Sequence, residues 1–123
     1  MTLPKKIQVA ADKWFMVRED KIEDGKLGFI DFEKKEIVID ERQPAAGKYI
    51  ILLHELLHFV DEQNLSYFCY KRGLTEKQVT YLASGLLPIL VYSGLLKGVT
   101  RKQMDDFIQQ IKLSSEDFFE FKD

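Results

Sequence analysis

Alternating apolar and polar positions in the first forty residues predict β-strands. Four short segments carry this alternation or a run of β-branched and aromatic residues: Lys6–Ala10, Trp14–Val17, Leu27–Phe32 and Glu36–Asp40. Asp24-Gly25 is a hairpin turn signal, and a short polar turn at 33–35 precedes the last segment. Because strands joined by short turns pair antiparallel, the pattern predicts a small antiparallel β-meander of three or four strands.

From Pro44 onward the pattern becomes that of a buried helix. Residues 49–60 are apolar on all sides except at three positions, and Pro44 suits the first turn of a helix. We predict that this helix runs to about Asn64. Buried polar groups are costly without partners, so the three polar residues need a metal, a hydrogen-bond network or a cavity.

Two capping-box spacings predict the starts of two further helices. Gln78 lies three residues after Thr75, and Gln103 lies three residues after Thr100. At this spacing the side chain of each residue can hydrogen-bond to the backbone N–H of the other. The helix that begins at Thr75 contains Pro88, which we expect to kink or end it. The whole chain therefore predicts an α+β fold, with the small N-terminal β-meander followed by three helices.

Composition favours one domain over residues 1–123. Hydrophobic residues make up 46% of the chain, which is enough for one core but not for two. The net charge is −2 with both signs interspersed, so we expect no direct binding of nucleic acid. The apolar stretch 79–99 contains Pro88 and Gly85 and is assigned to the core, not to a membrane. One cysteine and the absence of an apolar leader indicate a cytoplasmic protein.

The three polar residues of the predicted buried helix are His54, Glu55 and His58. They form the motif His-Glu-x-x-His (HExxH), which uses both histidines of the chain. Residues four apart on a helix share a face, so both imidazoles can bind one zinc ion, Zn²⁺. Glu55 lies about 100° round the helix, where it can reach a water molecule at the metal. The pattern is typical of a zinc hydrolase; the alternative is a pair of core histidines satisfied by hydrogen bonds.

A catalytic zinc needs a third protein ligand, and three residues are candidates. Glu76 is the preferred one, because the next helix can bring its carboxylate to the motif from outside. An acid in a first turn also simply complements the helix dipole. Asp61 is close to the face of His58, but three ligands at these spacings on one straight helix rarely converge. Cys69 follows the motif helix, although a lone cysteine between aromatic residues is usually a small hydrophobe.

The chain from residue 27 to residue 88 resembles the ImmA/IrrE family of small zinc peptidases, which are abundant in phages and prophages. In that family the motif helix is followed by Glu-x-x-Ala-Asn-x-Phe-Ala-x-x-Leu-Leu-Met-Pro. This chain reads Glu76-Lys77-Gln78-Val79-Thr80-Tyr81-Leu82-Ala83-Ser84-Gly85-Leu86-Leu87-Pro88. The strands Gly28-Phe29-Ile30-Asp31 and Ile37-Val38-Ile39-Asp40 before the motif also fit. Thr80 replaces the usual asparagine, the methionine before the proline is missing, and the interval from His58 to Glu76 is short.

The resemblance implies a minimal zincin-like (gluzincin) domain in which Glu76 is the third zinc ligand beside His54 and His58. It implies a zinc-dependent metallopeptidase of the HExxH…E type that cleaves a specific protein, such as a phage or prophage regulator. Glu55 would act as the general base on the attacking water, and the substrate backbone would add as a strand to an exposed edge of the sheet. Three residues are open candidates for stabilising the oxyanion: Tyr67, Tyr70 and Tyr81.

A second function remains open from the sequence. The chain could be a non-catalytic, zinc-stabilised binding or regulatory protein of a phage or mobile element. Glu55 favours the enzyme, because a purely structural metal site needs ligands but has no use for a base.

Overall fold

The fold is α+β, with a four-stranded mixed sheet followed by three helices. A computed structural model describes residues 3–62 and 74–113. The elements are β1 (Lys6–Ala10), β2 (Lys13–Asp20), β3 (Gly28–Asp31), β4 (Glu36–Asp40), α1 (Ala45–Glu62), α2 (Glu76–Tyr92) and α3 (Arg101–Leu113). None of the helices in these two ranges is long and apolar enough to cross a membrane.

The sheet is mixed, so the antiparallel meander expected from the sequence is wrong. The strand order is β1-β2-β4-β3, with β2 and β4 parallel and the other two pairs antiparallel. The segment 21–27 is long enough to carry the chain across to the far edge, where β3 begins, and β4 then returns between β3 and β2. β4 lies between β2 and β3, and its residues Ile37, Val38 and Ile39 are all buried.

α1 is the central helix of the described part. It contacts β3 and β4 of the sheet and also packs against α2 and α3. One core joins both layers and includes Phe15, Val17, Ile37, Ile39, Ile50, Ile51, Leu52, Ala83, Leu87, Met104 and Phe107. Each large apolar side chain buried in this way stabilises the fold by about 1.5–3 kcal/mol. This packing places the middle of α1, with the HExxH motif, beside the edge strand β3.

Both predicted capping boxes are present. Thr75 Oγ1 accepts a hydrogen bond from Gln78 N at 3.1 Å, and Gln78 Oε1 accepts one from Thr75 N at 2.9 Å. Thr100 and Gln103 make the same pair of hydrogen bonds, at 3.1 and 2.9 Å. The first capping box fixes where α2 starts, and Glu76 is its first residue.

α2 does not end at Pro88 but continues to Tyr92. A proline inside a helix removes one backbone hydrogen bond, and tertiary packing must offset that loss. α2 supplies such packing with a stripe of buried residues at a spacing of four: Val79, Ala83, Leu87 and Val91.

Candidate metal centre

α1 and α2 bring two histidines and one carboxylate together. His54 Nε2 is 2.5 Å from Glu76 Oε1, and His58 Nε2 is 3.0 Å from Glu76 Oε2. The two Nε2 atoms are 3.0 Å apart. The histidines are one turn apart on α1, whereas Glu76 comes from the start of α2. Their ligand atoms all lie within 4.8 Å of one another, and the three residues could hold a metal ion.

The spacing and chemistry of the three donors fit a small, nitrogen-binding cation. Tetrahedral bonds of about 2.0 Å place ligand atoms about 3.3 Å apart, close to the separations found here. Two imidazole nitrogens and one carboxylate suit zinc better than magnesium or calcium, which prefer oxygen ligands. The His54 side chain is 1% exposed, whereas those of His58 and Glu76 are 28% and 22% exposed. The group is therefore buried on one side and reachable from solvent on the other.

His54 has the protonation state that metal binding requires. Burial lowers the pKa of His54 to about 4, because an imidazolium loses its hydration inside the protein. The Glu76 carboxylate opposes this shift, and His58 adds to it. His54 is consequently neutral at pH 7, so one of its ring nitrogens is unprotonated.

Thr80 lies behind His54, on the side away from Glu76 Oε1. Its hydroxyl donates a hydrogen bond to the backbone carbonyl of Glu76 at 3.0 Å, and its oxygen is 3.5 Å from His54 Nδ1. The second distance is long for a hydrogen bond. The Thr80 hydroxyl therefore contacts His54 only weakly.

Glu55 is buried next to the donor group but is not part of it. Its exposed fraction is 4%, and burial raises the pKa of its carboxyl to about 8. The charge of Glu76 raises this pKa further, while the ammonium group of Lys26 lowers it. A dication at the donor group would also lower it, because a positive charge nearby stabilises the carboxylate.

Two residues at this site were not singled out by the sequence. Gly28 begins β3 and lies against Glu55, and the ammonium group of Lys26 is near enough to affect the Glu55 pKa. The turn before β3 contains Gly25, whose φ is 82°. It also contains a hydrogen bond from Lys26 N to Asp24 Oδ1 at 3.1 Å. A glycine within a strand pattern is a signal of close backbone approach, and it could have identified Gly28.

The other candidate residues have different positions. Asp61 is outside the donor group, and its Oδ1 accepts a hydrogen bond from Leu74 N at 3.1 Å. Tyr81 is on α2, is 66% exposed, and has the Lys77 ammonium 5.9 Å from its ring centroid. Three candidates lie outside the described residues: Tyr67, Cys69 and Tyr70.

Comparison of the chain with protein-family models, with characterised proteins and with solved structures finds no match.

Proposed function

We propose that this protein is a zinc-dependent peptidase of the zincin-like type, as the resemblance to the ImmA/IrrE family implies. In this proposal His54, His58 and Glu76 bind the zinc ion and Glu55 is the general base. One observation carries the proposal: a buried carboxylate, Glu55, lies beside the three converging donors without being one of them. A metal site that only stabilises the fold would have no need of this fourth group.

The chemistry follows from where the side chains lie. A bound zinc would supply a Lewis acid that acidifies water and polarises a carbonyl. Glu55 accepts the proton of the attacking water and passes it to the departing amine nitrogen, so the same carboxyl serves as base and then as acid. His58 and Glu76 lie on the solvent-reachable side, where a peptide can approach.

The edge strand β3 is a suitable place for the substrate backbone. Asp40 N donates to Leu27 O at 2.9 Å, so the backbone groups of Leu27 face β4. Hydrogen bonding alternates along an antiparallel pair, which turns the N–H and C=O groups of Gly28 and Ile30 away from β4. Ile30 is only partly buried, so an extended peptide can pair with its outward-facing groups as an additional strand, whereas Gly28 is buried. Such a strand would pass Glu55, because Gly28 lies against it.

The proposed substrate is an extended segment of a protein, and a phage or prophage regulator would be one such protein. A peptide library made by digesting a bacterial proteome is a suitable probe, with mass spectrometry of the newly formed N-termini. Wild-type protein loaded with zinc should produce a reproducible set of cleavages. If zinc-loaded protein cleaves no peptide, the alternative of a non-catalytic, zinc-stabilised binding protein replaces the peptidase.

The variant Glu55→Gln tests the role of the base. The amide cannot accept a proton from water, so cleavage should be lost while zinc content and the unfolding temperature are retained. His54→Ala should lose both zinc and cleavage. Glu62→Gln, a change of an exposed acid on the same helix, is the matched control and should cleave as the wild type does. Unchanged cleavage by Glu55→Gln would contradict the proposal.

A further inference from the structure

A hydrogen bond from Asp61 joins the two helices that carry the proposed ligands. Asp61 Oδ1 accepts from the backbone N–H of Leu74 at 3.1 Å. Asp61 is three residues after His58 on α1, and Leu74 is two residues before Glu76. The bond therefore joins a residue three positions after the proposed ligand His58 to a residue two positions before the proposed ligand Glu76.

The same hydrogen bond fixes the start of α2. Leu74 directly precedes Thr75, the residue that caps α2 through its hydrogen bonds with Gln78. Glu76 is the first residue of the helix, so the position of its backbone depends on these two fixed neighbours. Its carboxylate must reach His54 and His58 together, at 2.5 and 3.0 Å. Metal sites tolerate displacements of only about 0.5 Å, and groups that orient a ligand change metal affinity when they are removed.

We propose that Asp61 is a positioning residue for the metal centre, which holds the start of α2 so that Glu76 reaches His54 and His58. Asp61 acts through the backbone of Leu74 and does not bind the metal. The proposal rests on the proposed metal site, but it does not depend on the protein being a peptidase.

The test compares two substitutions of Asp61 in metal-free protein titrated with zinc against a chromophoric chelator. Asp61→Asn keeps an oxygen that accepts from Leu74 N, so its zinc affinity should stay within about twofold of the wild type. Asp61→Ala removes the acceptor and should weaken zinc binding about tenfold. Glu62→Ala removes a charge from the same end of α1 and should match the wild type. Cobalt(II) at saturation should give the wild-type absorption spectrum in every Asp61 variant, because the ligands are unchanged.

Each contrary result has a distinct meaning. If Asp61→Asn weakens zinc binding as much as Asp61→Ala, or changes the cobalt spectrum, Asp61 acts by its charge or as a ligand. If Asp61→Ala binds zinc as the wild type does, the positioning role is wrong while the metal site stands. If Asp61→Ala does not fold, Asp61→Ser takes its place; failure of both to fold shows a role in the whole fold and overturns the proposal. Absence of zinc binding by the wild type contradicts the metal site itself.

Discussion

Gly28, the first residue of the edge strand, packs directly against Glu55 of the motif helix. A β-carbon at position 28 would lie 3.7 Å from Glu55 Oε2, 2.9 Å from the Val38 carbonyl oxygen and 2.5 Å from Ile51 Cγ2. The last two separations are too short for a real side chain. Glycine at this position therefore lets β3 approach α1 closely, and it brings the edge strand of the described sheet next to the proposed base.

We predict that Gly28→Ala destabilises the protein by about 1–3 kcal/mol, the usual cost of overpacking a core position. Gly85→Ala on α2 is the matched control, because a β-carbon there would meet nothing within 4 Å. Alanine is a better helix former than glycine, so Gly85→Ala should stabilise by about 0.5–1 kcal/mol. Urea unfolding at one pH measures both. Equal free energies of unfolding for the two variants would show that β3 and α1 are not in close contact.

The features that the sequence predicted are those with local causes. The HExxH motif and the capping boxes at Thr75 and Thr100 depend on spacings of three or four residues, which a helix converts directly into contacts. The burial of α1 was likewise predicted from a local feature, its nearly continuous apolar residues. Glu76 could be ranked above Asp61 because ligands that converge on one ion must come from more than one direction.

The features that the sequence did not predict depend on distant parts of the chain. The parallel pairing of β2 with β4 follows from the path of segment 21–27, and no short pattern encodes that path. The hydrogen bond between Asp61 and Leu74 joins a side chain to a backbone N–H, a group that every residue except proline has. The closeness of Lys26 to Glu55 likewise needs the placement of β3 against α1.

Loss of Glu76 should affect metal binding more than loss of Asp61. Glu76→Ala removes a donor atom, so zinc affinity should fall by more than about tenfold, beyond the effect expected for Asp61→Ala. Chelator competition on metal-free protein gives the zinc dissociation constants of both variants. Unfolding of the metal-free variants shows whether either substitution has also destabilised α2. The reverse order of effects would assign the ligand role to Asp61 and contradict the family resemblance.

Zinc should raise the unfolding temperature of the wild type. A ligand that binds only the folded protein stabilises it by about 2.7 kcal/mol at one hundred times its dissociation constant. Thermal unfolding with excess zinc and after chelation measures this difference. Glu76→Ala should show a much smaller shift at the same zinc concentration. A shift of the same size in that variant would indicate that the stabilising zinc binds elsewhere.

A second carboxylate, Asp40 at the end of β4, is buried with an exposed fraction of 3%. Arg42 donates from Nε to Asp40 Oδ1 at 2.9 Å and from Nη2 to Oδ2 at 3.2 Å, and its Nη2 also donates to Ile22 O at 2.7 Å. Burial opposes ionisation of Asp40, but the hydrogen bonds from Arg42 and Gln43 together with the charge of Arg42 outweigh it and lower the pKa of this carboxyl. Arg42 thereby ties the segment that leads to β3 to the end of β4.

The Asp40–Arg42 pair makes the free energy of unfolding depend on pH, and the sign of that dependence is defined. The pKa of Asp40 is lower in the folded than in the unfolded chain, so its contribution is present above pH 4 and is lost as the pH falls through the folded pKa. Arg42→Ala removes the side-chain partner of the buried Asp40 carboxylate and should lower the free energy of unfolding at pH 7 more than Arg18→Ala does. The difference in free energy of unfolding between Arg42→Ala and the wild type should become smaller below pH 4, where protonation removes the charge of Asp40. Arg18→Ala breaks ion pairs with Asp20, which is exposed, and with Glu36, which is partly buried, and should have the smaller effect. An equal loss of stability in both variants, or a loss for Arg42→Ala that does not change with pH, would show that the Asp40–Arg42 pair does not stabilise the junction of β4 and segment 21–27.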